Sequence, residues 1–235
     1  MALGVELTWL GHASVRIRLA DETTLYIDPW LVGNPSCPDD EHSPDRVDAI
    51  YITHGHFDHI GDTMDLVARH QPQVFAIHEI AVFLEAAGAE NTVGSNKGGS
   101  VGGPGGVTAT LVDAVHSSGI SGETGIVPGG EAAGWVIEIP DGPTVYHAGD
   151  TTVFGDMELI GRLWSPDLAL LPIGGHFTMG PGHAAEAARL LGVSKVLPIH
   201  YGTFPVLSGT PDELEAALDG SGIEVLTPTI GEPID

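Results

Sequence analysis

The segment Thr53-His54-Gly55-His56-Phe57-Asp58-His59 constrains this chain more than any other stretch. Three imidazoles and one carboxylate fall within six residues, spaced H-x-H-x-D-H. Directly before it runs Ala49-Ile50-Tyr51-Ile52, whose β-branched and aromatic side chains predict a buried strand. After it, Ile60-Gly61-Asp62 leads into a helical pattern over Thr63 to His70. The motif therefore falls on a strand-to-helix loop, where a rigid scaffold can present side chains to a ligand. Imidazole and carboxylate suit zinc, manganese or iron, with no thiolate required. A lone His-x-His is common on surfaces, whereas four donors in six residues behind a strand point to metal binding.

Three further donors stand in comparable places. His116 follows the strand pattern Val107 to Val115, Asp150 follows Thr144 to His147, and His200 follows Lys195 to Pro198. Strand ends at one rim of a packed sheet can converge in space. His176, in Gly174-Gly175-His176-Phe177, follows the apolar run Leu168 to Leu171 and is a candidate donor to a substrate oxygen. Asp28 ends the strand pattern Thr24 to Ile27, and His12 sits in the turn Gly11-His12-Ala13 between strands Val5 to Trp9 and Val15 to Leu19. His147 is either a brace for a ligand or a satisfied buried histidine.

The remaining pattern alternates helix and strand. Helices are predicted over Thr63 to His70, Glu79 to Ala87, Met157 to Leu163, His183 to Leu191 and Asp212 to Leu218. Further strands are predicted at Val74 to Ile77, Ala133 to Ile139 and Glu224 to Leu226. Gly94 to Gly106 holds seven glycines in thirteen residues but lacks the G-K-[S/T] ending of a phosphate loop, so it reads as a flexible hairpin connection. Ser121 to Glu131 reads as a polar loop. Periodicity alone gives an α/β or α+β protein, and no linker divides residues 1–235 into two domains.

Composition limits the partners. The formal charge is −24, from 32 acidic and 8 basic side chains. This opposes a phosphate-tracking nucleic-acid surface and an anionic membrane. The expected partner is a small-molecule substrate, with self-association into a homo-oligomer left open. Cys37 is the sole cysteine, so an intrachain disulfide is impossible. Neither a signal peptide nor a membrane-spanning run is seen, which gives the cytoplasm as the expected location.

The T-H-G-H-F-D-H motif resembles the signature of the metallo-β-lactamase-fold hydrolases. Ala114-Val115-His116-Ser117-Ser118-Gly119, Tyr146-His147-Ala148-Gly149-Asp150-Thr151 and Pro198-Ile199-His200-Tyr201-Gly202-Thr203 resemble later segments of the same family, in order. Gly11-His12, Ile27-Asp28-Pro29-Trp30 and Gly175-His176-Phe177-Thr178-Met179-Gly180 are similar to a compact branch related to ascorbate-phosphate lactonases. The resemblance implies an α+β fold, the four-layer αββα sandwich. It also implies two divalent metal ions, Zn foremost and Mn or Fe otherwise. His54, His56 and His116 would hold one ion, Asp58, His59 and His200 the other, and Asp150 would bridge them. Asp28 would brace the metal loop. Two ions about 3.5–4 Å apart would lower the pKa of a shared water, and its hydroxide would attack a small-molecule ester, lactone or phosphoester. Asp58 would orient that water, so Asp58 and His176 are the catalytic candidates.

Other readings are weaker. A metal-borne hydroxide requires no serine or cysteine nucleophile. A phosphodiesterase or nuclease of the same fold is disfavoured by charge. An oxygen-reducing di-iron enzyme of this fold would carry Glu in place of His56, and a flavin domain. A non-catalytic, metal-stabilised binding protein would close its shell with four ligands, whereas seven donors leave room for water.

Overall fold

The computed structural model describes residues 5–122 and 125–234. Strands β1 (Glu6–Trp9), β2 (Val15–Arg18) and β3 (Thr24–Ile27) form an antiparallel meander. β4 (Ala49–Tyr51) then joins β3 in parallel and leads through α1 (Phe57–Ile60) and α2 (Thr63–His70) to β5 (Gln73–Ile77), α3 (His78–Ala86) and β6 (Thr92–Ser95). The chain continues with β7 (Ser100–Gly102), β8 (Thr108–Asp113), the paired β9 (Gly119–Gly122) and β10 (Gly125–Pro128), β11 (Ala133–Glu138) and β12 (Thr144–His147). It ends with α4 (Met157–Trp164), β13 (Leu168–Pro172), α5 (Pro181–Leu191), β14 (Lys195–Ile199), α6 (Pro211–Ala217), β15 (Glu224–Val225) and β16 (Pro233–Ile234).

Two seven-stranded sheets result, ordered β16-β1-β2-β3-β4-β5-β6 and β15-β14-β13-β12-β11-β8-β7. Each is antiparallel on one side and parallel on the other. The sheets face one another across a single buried cluster, in which Leu7, Ile17, Leu25 and Tyr51 of the first sheet meet Leu111, Trp135, Val145, Leu170 and Leu197 of the second. Trp135 is fully buried and its Nε1–H donates to the carbonyl of Ile52 at 3.0 Å, tying the two sheets together behind the His-rich loop. Leu66 of α2 and Ile80 and Leu84 of α3 cover the outer face of the first sheet. Met157 and Ile160 of α4, the alanine face of α5 and Leu214 of α6 cover the second. This is the expected αββα order.

Local chemistry explains the elements. β13 is buried along its whole length, as a parallel strand covered on both faces must be, and its sequence LALLP is correspondingly apolar. α5 starts with Pro181 in its first turn and stops at Gly192, whose φ of 65° closes the last turn. α6 opens on a capping box, Thr210 with Glu213.

Two expectations are corrected. The glycine-rich stretch is a hairpin only in its second half, where the turn after Gly102 joins the antiparallel β7 and β8; its first half carries the chain from β6, which pairs with β5 in the first sheet, over to the second. Glycine is required at Gly103, where a Cβ would come within 2.3 Å of the Tyr51 hydroxyl oxygen. The 121–131 segment is not a loop throughout. It contains the β9–β10 ribbon, with Ile126 opposite Ser121 in register; Glu123 and Thr124 lie outside the described residues.

Strand polarity positions the site. β1, β3 and β4 run one way in the first sheet, and β8, β12, β13 and β14 run one way in the second. The loops after their C-terminal ends carry His12, Asp28, the 54–59 motif, His116, Asp150, His176 and His200.

Candidate metal centre

Two groups of donors converge at this rim. His54, His56, His116 and Asp150 form one, with one ligand atom from each lying within 4.8 Å of the others. His12, Asp58, His59 and His200 form the other, by the same measure. Asp150 stands between them. Its Oδ2 lies 3.1 Å from His200 Nε2, 3.5 Å from His116 Nε2 and 3.9 Å from His54 Nε2, and its Oδ1 lies 3.2 Å from His59 Nε2. All seven ligand positions expected from the sequence are therefore brought together.

A bracing layer holds these side chains. Asp28 is fully buried and accepts three hydrogen bonds, from Thr53 N (2.8 Å), Thr53 Oγ1 (2.6 Å) and His59 Nδ1 (2.7 Å). Because Thr53 Oγ1 donates to Asp28, it accepts from His54 Nδ1 at 3.0 Å. One carboxylate thus orients both imidazoles, fixes the tautomer of His54 and turns both Nε2 atoms toward Asp150. Ser118 Oγ accepts from Gly55 N and donates to the Gly129 carbonyl, both at 3.1 Å, which pins the other side of the motif loop.

His12 is the participant that the sequence left open. It is fully buried, with Nε2 3.0 Å from Asp58 Oδ2 and Nδ1 3.0 Å from Thr203 Oγ1. Its ring lies 3.9 Å from that of His200, and its carbonyl accepts from His200 N at 2.9 Å. His147 is a buried brace rather than a donor to the site. Its Nε2–H donates to the Ala13 carbonyl at 2.9 Å, and its Nδ1 accepts from Gly149 N at 3.1 Å. It therefore fastens the His12 turn to the Asp150 turn across the two sheets. His12, Asp28 and His200 all take positive φ, 52°, 48° and 55°. Non-glycine residues seldom hold this conformation, and its clustering at one rim marks a site whose surroundings enforce geometry.

His176, the expected donor to a substrate oxygen, is not among the residues that line the cavity. It sits at the tip of a turn with φ of 60°, exposed, and stands edge-on to the Phe177 ring. A hydrogen bond from Phe177 N to the Gly175 carbonyl closes the turn at 2.7 Å and directs Phe177, not His176, to the cavity wall. No signal in the sequence distinguishes these neighbours.

The electrostatics suit a cation. Burial lowers the pKa of His54, His56 and His116, favouring their neutral forms. Burial likewise lowers His12 to about 4, against the opposing pull of Asp58. His59 moves the other way, because the carboxylates of Asp150 and Asp28 outweigh burial and raise it well above its ordinary value. Burial alone would raise Asp150, but the charges of His200 and His59 hold it well below the usual carboxylate range. Asp58 falls to about 2, since its hydrogen bond from His12 and the charge of His59 overcome burial. His59 Nε2, His200 Nε2 and Asp150 Oδ1 are buried without a hydrogen-bond partner. Orphaned donor atoms of this kind, aimed at a common point, fit a metal ion. A cavity of about 330 Å³ opens onto the centre and reaches His56, Asp58, His116, Asp150 and His200.

Comparison with known proteins agrees with this geometry. Residues 23–201 match the beta-lactamase superfamily domain. The chain is 46% identical over 225 residues to a UPF0173 metal-dependent hydrolase of Koribacter versatilis, covering 96% of each chain. It is 48% identical over 230 residues to one of Solibacter usitatus, covering 98% of this chain and 99% of that one. Igni18, described as a metallo hydrolase of the hyperthermophilic archaeon Ignicoccus hospitalis, superposes with a TM-score of 0.86 at 36% identity, covering 98% of this chain and 97% of that chain. With its donor groups, fold and relatives in agreement, this chain belongs to the beta-lactamase superfamily, among the UPF0173 metal-dependent hydrolases.

Proposed function

We propose that the protein is a dinuclear metal-dependent hydrolase acting on a small-molecule ester or lactone. The observation that carries this reading is the pair of donor groups on either side of Asp150. His54, His56 and His116 would hold one ion and Asp58, His59 and His200 the other, with Asp150 shared because its two oxygens offer separate lone pairs. An imidazole-rich donor set with carboxylates favours zinc, with manganese and iron as the alternatives. When bound, such a pair supplies a water acidic enough to attack at neutral pH and an electrophile for the substrate oxygen.

The chain's own residues do the rest. Asp28 fixes the direction of His54 and His59. Asp58, whose carboxyl the His12 hydrogen bond and the His59 charge hold below the usual carboxylate range, is ionised at neutral pH, so it would orient a water by accepting a hydrogen bond. His12, donating to Asp58, fixes which Asp58 oxygen remains open. No helix among the described residues is long and apolar enough to cross a membrane. The single cysteine accords with a cytoplasmic setting. Metal analysis of protein purified without chelator tests the reading. About two ions per chain, with loss of ester hydrolysis on chelation and recovery on reloading, supports it; hydrolysis by fully metal-stripped protein contradicts it.

A further inference from the structure

The walls of the cavity beyond the donors carry information about the substrate. Phe57 follows His56 directly and opens α1, and it is 55% exposed. Its ring meets Trp30 edge-on, and Trp30 stacks on Phe204, so the aromatic wall is supported from behind. Phe177 stands on the second-sheet side and is 58% exposed. Ser121 of the β9–β10 ribbon also lines the cavity. Its cross-strand partner is Ile126, 80% exposed, and paired residues share a face of the ribbon. Large apolar side chains left in water around a concave site mark a surface kept for a ligand.

Charge points the same way. None of the eight Lys and Arg side chains lines the cavity. Arg16, Arg18, Arg46, Lys97, Arg189 and Lys195 are paired with carboxylates elsewhere, and Arg69 and Arg162 lie on α2 and α4. Two divalent ions held there against Asp28, Asp58 and Asp150 would leave one net positive charge. That matches the single negative charge of a hydroxide adding to a neutral ester. A phosphodiester would bring one further uncompensated charge and a phosphomonoester two.

We propose, building on the hydrolase reading, that the site selects uncharged carboxylic esters or lactones with an apolar acyl chain seated among Phe57, Phe177 and Ile126, and discriminates against phosphoesters. In the reaction the water oxygen bonds to the acyl carbon and the acyl C–O bond breaks. The alcohol leaves with a proton, and the carboxylic acid remains.

The test compares p-nitrophenyl hexanoate, p-nitrophenyl acetate and bis(p-nitrophenyl) phosphate on the metal-loaded protein. Each buried methylene is worth roughly fourfold, so hexanoate should exceed acetate by well over tenfold in kcat/KM, and the phosphodiester should be slowest. Phe177→Ala and Ile126→Ser should collapse the hexanoate-to-acetate ratio with metal content unchanged. A calorimetric titration with hexanamide, an uncharged probe that is not an ester, should show binding that Phe177→Ala weakens and that inorganic phosphate does not compete. Equal rates on the two carboxylic esters, a faster phosphodiester, or ratios unaffected by both variants would overturn the proposal. If no ester is hydrolysed, the hydrolase reading fails, and the hexanamide titration still decides this one: binding weakened by Phe177→Ala upholds it and absence of binding overturns it.

Discussion

Asp28→Asn probes the bracing layer most sharply. The substitution keeps the shape of the side chain but replaces one acceptor oxygen with a donor. Asn can still accept from Thr53 N, but an amide NH₂ would then face Thr53 Oγ1 and His59 Nδ1, both of which donate to Asp28 now at 2.6 and 2.7 Å. Two hydrogen bonds to a buried charge are lost, at about 1.5–3 kcal/mol each. The sum agrees with about 3–5 kcal/mol for breaking a buried ion pair by changing one partner. The loss depends on pH in a fixed direction. In metal-free protein, His59 is raised above its ordinary 6.5, in part by Asp28. Its ion pair therefore contributes fully below pH 6.5 and fades as the pH rises through the raised folded-state value. Urea denaturation of chelated wild type and variant should show the full difference at pH 6 and a smaller one at alkaline pH. Metal affinity should drop roughly 10–100-fold, as expected on removing the partner that orients a ligating imidazole. Wild-type stability at pH 6 together with wild-type metal affinity would refute the account of the bracing layer.

Other substitutions separate the roles at the centre. Asp150→Asn removes the charge shared by both groups, so both metals should weaken and turnover should fall by orders of magnitude while circular dichroism stays native. His12→Phe keeps an aromatic ring against Trp30 and Phe204 but removes the donor to Asp58. One metal of the pair should then bind roughly 10–100-fold more weakly, as competition with a chromophoric chelator would show. In the metal-free state, Asp58 contributes stability above its ordinary 3.8 that is lost as pH falls toward about 2, so His12→Phe should move acid unfolding to higher pH. His176→Ala should retain both metals and change turnover by no more than a few-fold, since the side chain is exposed and does not line the cavity; a loss of several hundredfold would restore it as a donor to the reacting group.

The sequence was informative where chemistry is local. The donors of the 54–59 motif, the strand feeding it and the α2 boundaries are written in adjacent residues, and so is Asp28 at the end of β3. The placement of His12 was not, because its partners Asp58 and Thr203 lie 46 and 191 residues away, and no local pattern encodes such a contact. The glycine-rich segment misled for a related reason. Glycine signals freedom of φ and close approach but not which sheet its flanking strands join, and here they join different ones. The β9–β10 ribbon was read as a loop because Gly119, Ser121, Gly122, Gly125 and Pro128 break up the alternation around Ile120, Ile126 and Val127 that would betray its strands. His176 and Phe177 are neighbours of equal apparent promise, and only the turn at Gly175 decides which of them faces the cavity.

The central claim is that two metal ions flank Asp150. A crystal of the metal-loaded protein measured on either side of the zinc absorption edge tests it directly. The account predicts two anomalous peaks, one within bonding distance of His54, His56 and His116 and the other of Asp58, His59 and His200, with Asp150 touching both. A single peak, or peaks that leave Asp150 without a metal contact, would contradict it.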